Sequence, residues 1–177
     1  MGAFVANFHV LGADSGAVRQ TVAAIGAGQF RVASPVKGWV SLYEQRASTQ
    51  DEDWIARLAG EMSSRLRTVC VAFLVHDSDI ARYWLIDQGQ LLDEFNSIPD
   101  YFDEVSSAER RRVRGRADVF LRYCQPGVTR QDIERVLRAE VMFAEDTITR
   151  LAAFLGIDPE RALGDFNHPE MAAVRED

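Results

Sequence analysis

Lysine is almost absent from this 177-residue chain: Lys37 stands alone beside nineteen arginines. That bias is the mark of a GC-rich coding sequence and points to a bacterial source, but it carries no mechanism. Cysteine is scarce as well. Cys70 and Cys124 lie in apolar stretches with no CxxC spacing, so reduced, buried thiols in a cytoplasmic protein are expected. No apolar run approaches the roughly 20 residues of a membrane span. The opening stretch MGAFVANFHVLG has no basic n-region and reads as a strand, not a leader. Residue 6 is Ala where a myristoylation signal wants Ser or Thr.

Catalytic signatures are missing too. There is no G-x-S-x-G, H-E-x-x-H, P-loop or dinucleotide fingerprint. Only three histidines occur. His9 falls on an expected strand, where a hydrogen-bonded sheet histidine is commoner than a base, and His168 sits in a polar tail. Asp87 and Asp93 could pair across a hairpin, as exposed hairpin ends often do. No catalytic residue, metal ligand or cofactor is assigned from the sequence.

What is present is an acidic chain with a real core. Apolar residues make up 47% and the net charge is −7. This balance counts against a general nucleic-acid binder, which needs a basic face. The charge is uneven: residues 1–104 hold 8 basic and 14 acidic side chains, residues 105–177 hold 12 and 13.

Periodicity divides the chain at about residue 98. Before it, strands and helices read β-α-β-β-α-β-β-β. "FVANFHVLG" alternates as a strand. Asp14 or Ser15 caps a first helix that Gly26 and Gly28 end. Thr49 and Glu52 have capping-box spacing before a helix with an Ile55, Leu58, Met62, Leu66 stripe. "VCVAFLV" is apolar throughout, as in a strand buried on both faces. The expected fold class is α+β: an antiparallel sheet with two helices on one face and a ferredoxin-like order at its start, then a helical C-terminal half. The expected organisation is a sheet domain at 1–98, a linker at 99–105, a helical extension at 106–166 and a polar tail at 167–177. In the extension, one helix is expected from Ser106 to Cys124 and one long helix from Thr129 to Leu155, which contains no Gly or Pro. Gly156 ends it, and Asp158-Pro159 starts a short last helix.

Three segments hold candidate chemistry. "VHDSDI" puts His76, Asp77 and Asp79 within four positions. Asp-x-Asp can serve calcium, but the further ligands of a full loop are absent, and a hairpin turn is expected. "DEFNSIPDYFDE" surrounds the Tyr101-Phe102 pair with carboxylates. Asp93, Glu94, Asp100, Tyr101, Phe102 and Asp103 are the candidate partner-binding residues, because acidic groups flank aromatic anchors on irregular backbone. "ERRRVRGR" holds Arg110, Arg111, Arg112, Arg114 and Arg116, the candidate phosphate or nucleic-acid contacts. At helical spacing Arg112 shares a face with Arg116, and Arg110 with Arg114.

"ITRLAAFLGIDPERALGDF" resembles the closing helices of Cro/repressor-type helix-turn-helix regulators, through Leu151, Ala152, Leu155, Gly156, Pro159 and Leu163. That resemblance implies a DNA-binding regulator. It covers under twenty residues, and no Gly lies where the tight turn before a recognition helix would fall.

The leading expectation is a non-enzymatic, cytoplasmic, bacterial protein-interaction module of immunity or regulator type. It would take a basic protein partner on the acidic-aromatic surface, and its helical extension could embrace a partner or a second copy of the chain. The alternatives are a nucleic-acid regulator using the arginine cluster, and an enzyme with a site between sheet and C-terminal helices.

Overall fold

The structure, a computed structural model, describes residues 2–167. Strands β1 (Val5–Leu11), β2 (Phe30–Val32), β3 (Trp39–Glu44), β4 (Val69–His76), β5 (Ile80–Asp87) and β6 (Gln90–Asn96) form one sheet in the order β2-β3-β1-β4-β5-β6. Every pairing is antiparallel. The first four strands have the split βαβ order, and the β5–β6 hairpin extends the sheet beyond β4. The α+β class and the eight-element order are as the periodicity implies.

Helices α1 (Ser15–Ile25) and α2 (Glu52–Leu66) cover one face. There Val18, Val22, Ile55, Leu58 and Met62 meet Phe8, Leu42, Leu74 and Trp84. The C-terminal helices cover the other: α4 (Ala117–Phe120), α5 (Arg130–Leu137), α6 (Ala144–Leu155) and α7 (Pro159–Ala162). Phe120, Ile133, Leu151 and Leu155 pack on Val71, Phe73, Tyr83 and Leu85. The sheet is therefore filled on both sides, which is why β4 is apolar at successive positions. Leu151 and Leu155, which carry the resemblance to repressor helices, face this core. No helix among the described residues is long and apolar enough to cross a membrane.

Local signals place most helix ends. Asp14 caps α1 by accepting from Ala17 N–H, Thr129 and Asp132 form a capping box on α5, and Asp158 with Pro159 opens α7. The cap of α2 is Asp51, two residues after the expected Thr49, which belongs to a short 3-10 turn.

Two expected helices are broken. The 106–124 helix stops at Arg112 as α3 (Ser107–Arg112). Residues 113–116 then leave the helix and run beside β6, with Arg114 bridging Phe95. Asn96 N–H donates to Val113 O, and Gly115 N–H to Glu94 O. An edge strand needs its backbone groups covered, and this short stretch covers half of β6. Gly115 holds φ +73, and a Cβ there would lie 3.1 Å from the Phe95 ring and from the Tyr83 hydroxyl. Gly115→Ala is expected to cost about 2 kcal/mol through strain and overpacking, measurable by urea unfolding; an unchanged midpoint would show that the segment can shift freely.

The long helix 129–155 is two helices, α5 and α6, separated by residues 138–143. Arg138 closes α5, its guanidinium donating to the carbonyls of Arg114 and Gly115. Ala144 N–H donates to Ser78 O. Both breaks come from distant backbone groups that need partners; Gly115 alone hints at the first, and no residue within 138–143 announces the second.

A buried polar chain ties α7 to the sheet. Asn7 Nδ2 donates to Ala162 O and Gly164 O, each at 2.8 Å. Its Oδ1 therefore faces His9 Nε2 at 2.8 Å, so that nitrogen carries the proton. Nδ1 is left to accept from the Ser41 hydroxyl at 2.9 Å. His9 is a satisfied sheet histidine, held neutral because burial pushes its pKa down to about 3, with the nearby Arg161 charge adding to the shift. The two other histidines part company: His76 reaches the surface, and His168, with most of the 167–177 tail, lies outside the described residues.

Candidate interaction surface

The stretch "VHDSDI" is a tight turn. His76 ends β4, Ile80 begins β5, and Asp77 and Ser78 between them hold φ of 51 and 59. With Asp79 they make a three-residue loop between paired His76 and Ile80; Asp79 N–H donates to His76 O across the two left-handed residues, a conformation that Asp tolerates. Its carboxylates go to separate partners: Asp77 Oδ1 accepts from Gly2 N–H, Asp79 Oδ2 from the Tyr101 hydroxyl at 3.0 Å. Among the described residues no three His, Cys, Asp or Glu side chains converge as metal ligands.

The turn is also a hub. Ser78 exchanges backbone and side-chain hydrogen bonds with Ala3, donates its hydroxyl to Glu145, and accepts from Ala144 N–H. Ser97 bonds Ala81 through both its amide and its hydroxyl. The start of β1, the 97–105 loop and the start of α6 thus meet at one end of the sheet. His76 stands among their aromatics, with ring centroids 5.0 Å from Phe4 and 5.2 Å from Phe102, both edge-on. Tyr101 lies 4.9 Å from Phe102, again edge-on.

This end carries apolar surface. Phe4, Ile98, Tyr101, Phe102, Met142 and Phe143 are exposed, Phe102 by 66% and Met142 by 83%. Among the described residues the one other large exposed apolar side chain is Leu91, at the far end of β6. Scattered exposed apolar side chains are ordinary, but a contiguous group marks a contact site.

The six acidic-aromatic candidates divide. Asp100, Tyr101, Phe102 and Asp103 are exposed on the 97–105 loop. Asp93 and Glu94 are buried, on opposite faces of β6. Asp93 accepts from the Tyr83 hydroxyl at 2.6 Å and from Arg116 N–H at 2.8 Å. Burial pushes its carboxyl above the ordinary range. Glu94 is bound by Arg82 and Arg112. Asp100 is held bidentate by Arg110, which keeps its carboxyl below the ordinary range. Sequence reasoning named Tyr101 and Phe102, weighed His76 only as a metal ligand, and missed Phe4, Met142 and Phe143, which come from other segments.

The arginine cluster is largely spoken for. Arg110 binds Asp100, Arg112 binds Glu94 and Glu109, and Arg116 lies 3.8 Å from Asp93. Arg111 and Arg114 make no ion pair among the described residues. Because α3 ends at Arg112, the expected sharing of helix faces by Arg110 with Arg114 and Arg112 with Arg116 does not occur.

A cleft of about 380 Å³ lies between α2, β5–β6 and α3, lined by Glu52, Arg82, Trp84, Glu94, Glu109 and Arg112 among others. Both of its guanidiniums are taken up by its carboxylates: Arg82 binds Glu52 and Glu94, and Arg112 binds Glu94 and Glu109. Between the sheet and the C-terminal helices, where an enzyme site was one expectation, apolar side chains form the core. Cys70 is buried on the opposite face, under α1 and α2, as an unpaired thiol whose pKa burial raises, and Cys124 is unpaired and half-buried. No protein-family profile, curated protein or solved structure matches this chain.

Proposed function

We propose that this chain is a non-enzymatic protein-interaction module that docks a protein partner on the end of the sheet built around His76, Tyr101 and Phe102. The observation that carries the reading is the gathering there of six exposed large apolar side chains from three separate segments. Such anchors supply the buried centre of an interface, and polar groups around them supply its rim. The surface stands on hydrogen-bonded turns rather than a free tail, so little ordering is needed on binding. Arginines tied up in ion pairs, in the cleft as in the 110–116 cluster, favour this reading over nucleic-acid binding or catalysis. We place the module in the bacterial cytoplasm, on the arginine-for-lysine composition and the two unpaired thiols.

The paired change Phe102→Ser/Met142→Ser tests it. Both side chains are mostly in solvent, so stability is expected to stay within about 0.5 kcal/mol of the parent. Affinity capture from host lysate should yield a near-stoichiometric protein on the parent and none on the variant. Identical eluates from the two would remove the surface from consideration.

A further inference from the structure

Resting on that reading, we infer that the occupant of the surface is a basic segment of another protein, carrying apolar anchors between arginines or lysines, and not a second copy of this chain. The argument is charge. Residues 2–4, 76–80, 97–105 and 139–146, which carry the exposed apolar group, hold eight carboxylates and no lysine or arginine. Asp100 is neutralised by Arg110, and Glu104 lies 3.8 Å from the same guanidinium. Glu145 and Asp146 sit in the first turn of α6, where the helix dipole offsets them. Asp77, Asp79, Asp103 and Glu140 are exposed and make no ion pair among the described residues. The apolar centre is therefore rimmed by unneutralised negative charge.

A two-fold self-contact would bring this same patch against itself. Each copy would set its carboxylates against those of the other with no cation between them, and like-charge juxtaposition across an interface is strongly unfavourable. A basic partner has the opposite balance. Its cations would meet Asp77, Asp79, Asp103 and Glu140. Its apolar side chains would enter among Phe4, Phe102, Met142 and Phe143. A guanidinium could also lie over the exposed face of Phe102 or Tyr101.

The test uses the full chain, immobilised, against a random-peptide library displayed on phage, with Phe102→Ser/Met142→Ser as the counter-target. A second variant, Asp79→Asn/Asp103→Asn/Glu140→Gln, removes charge and leaves the apolar group intact. The expected result is enrichment of peptides that combine aromatic or aliphatic residues with several arginines or lysines. Their affinity should fall about tenfold or more on each variant and fall steeply with added salt. Enriched peptides that are neutral or acidic, or that bind the charge variant as well as the parent, would overturn the basic occupant while leaving the apolar surface standing. Peptides indifferent to Phe102→Ser/Met142→Ser would overturn the surface itself. A dimer in sedimentation equilibrium that dissociates in Phe102→Ser/Met142→Ser would replace the basic partner with a second copy.

Discussion

Glu94→Leu is expected to destabilise the protein by about 3–5 kcal/mol, the scale of stripping one partner from a buried ion pair. The Glu94 side chain is only 6% exposed and lies between two guanidiniums, those of Arg82 and Arg112. Arg112 is half in water and keeps Glu109, so it loses little. Arg82 is different. Its side chain is 13% exposed, it lies over Trp84, and its Nε already lacks a partner. Without Glu94 it has only Glu52, which is itself 40% exposed. A poorly solvated cation with one partial partner is costly. The double variant Arg82→Leu/Glu94→Leu should recover more than half of the loss, because it removes the stranded charge along with its partner. Urea unfolding of the parent, both single variants and the double variant forms a closed cycle. Losses that simply add would show that Arg82 and Glu94 are not coupled, contrary to their geometry.

Glu94 also shows where reading the chain alone runs out. The residue was legible as acidic, and its hairpin was legible from the Gln88-Gly89 turn. Its burial was not, because β5 and β6 slip register between Leu85 and Ile86. That slip sets Glu94 opposite Trp84 and one cross-strand step from Arg82. Asp93 is then turned to the other face, beneath the Tyr83 hydroxyl. A pair of acids beside aromatics looks like surface until the register is known. The helix break at 138–143 fails to show, and the one at 113–116 is hinted at only by Gly115, for a related reason: they answer the turn after β4 and the open edge of β6, both far away in sequence. Where the cause is local, the chain is readable. Asp14, Thr129 and the Asp158-Pro159 pair mark their helix starts within a few residues. The interaction surface was half visible for the same reason. Tyr101 and Phe102 are neighbours, but Phe4 and Met142 join them only because Ser78 ties three segments together.

The buried chain from Ser41 through His9 and Asn7 to α7 makes stability depend on acid. Asn7→Leu should cost about 3 kcal/mol or more, since it orphans the carbonyls of Ala162 and Gly164 and the His9 Nε2 proton, each worth about 1–3 kcal/mol when buried and unpaired. The pH dependence follows from His9. Its folded pKa is pushed down to about 3 from an ordinary value of 6.5. Below pH 6.5 the unfolded chain takes up a proton that the folded chain refuses, so the unfolded state gains. Stability is therefore unaffected by this group above pH 6.5 and falls by about 1.4 kcal/mol per unit from there toward pH 3. At pH 5 the loss is about 2 kcal/mol. His9→Gln keeps a donor for Asn7 Oδ1 and an acceptor for the Ser41 hydroxyl, and it cannot take up a proton. It should lose some stability at pH 7.5 through poorer packing on Phe73, whose ring centroid lies 5.6 Å away. Its deficit should then shrink as the solution is acidified, and the two stabilities should converge or cross near pH 5. Other titrating groups, Asp93 among them, cancel in the difference between parent and variant. Parallel stability curves from pH 7.5 to 5 would mean that His9 accepts a proton in the folded state, and that the tautomer fixed by Asn7 is not the one that holds α7 in place.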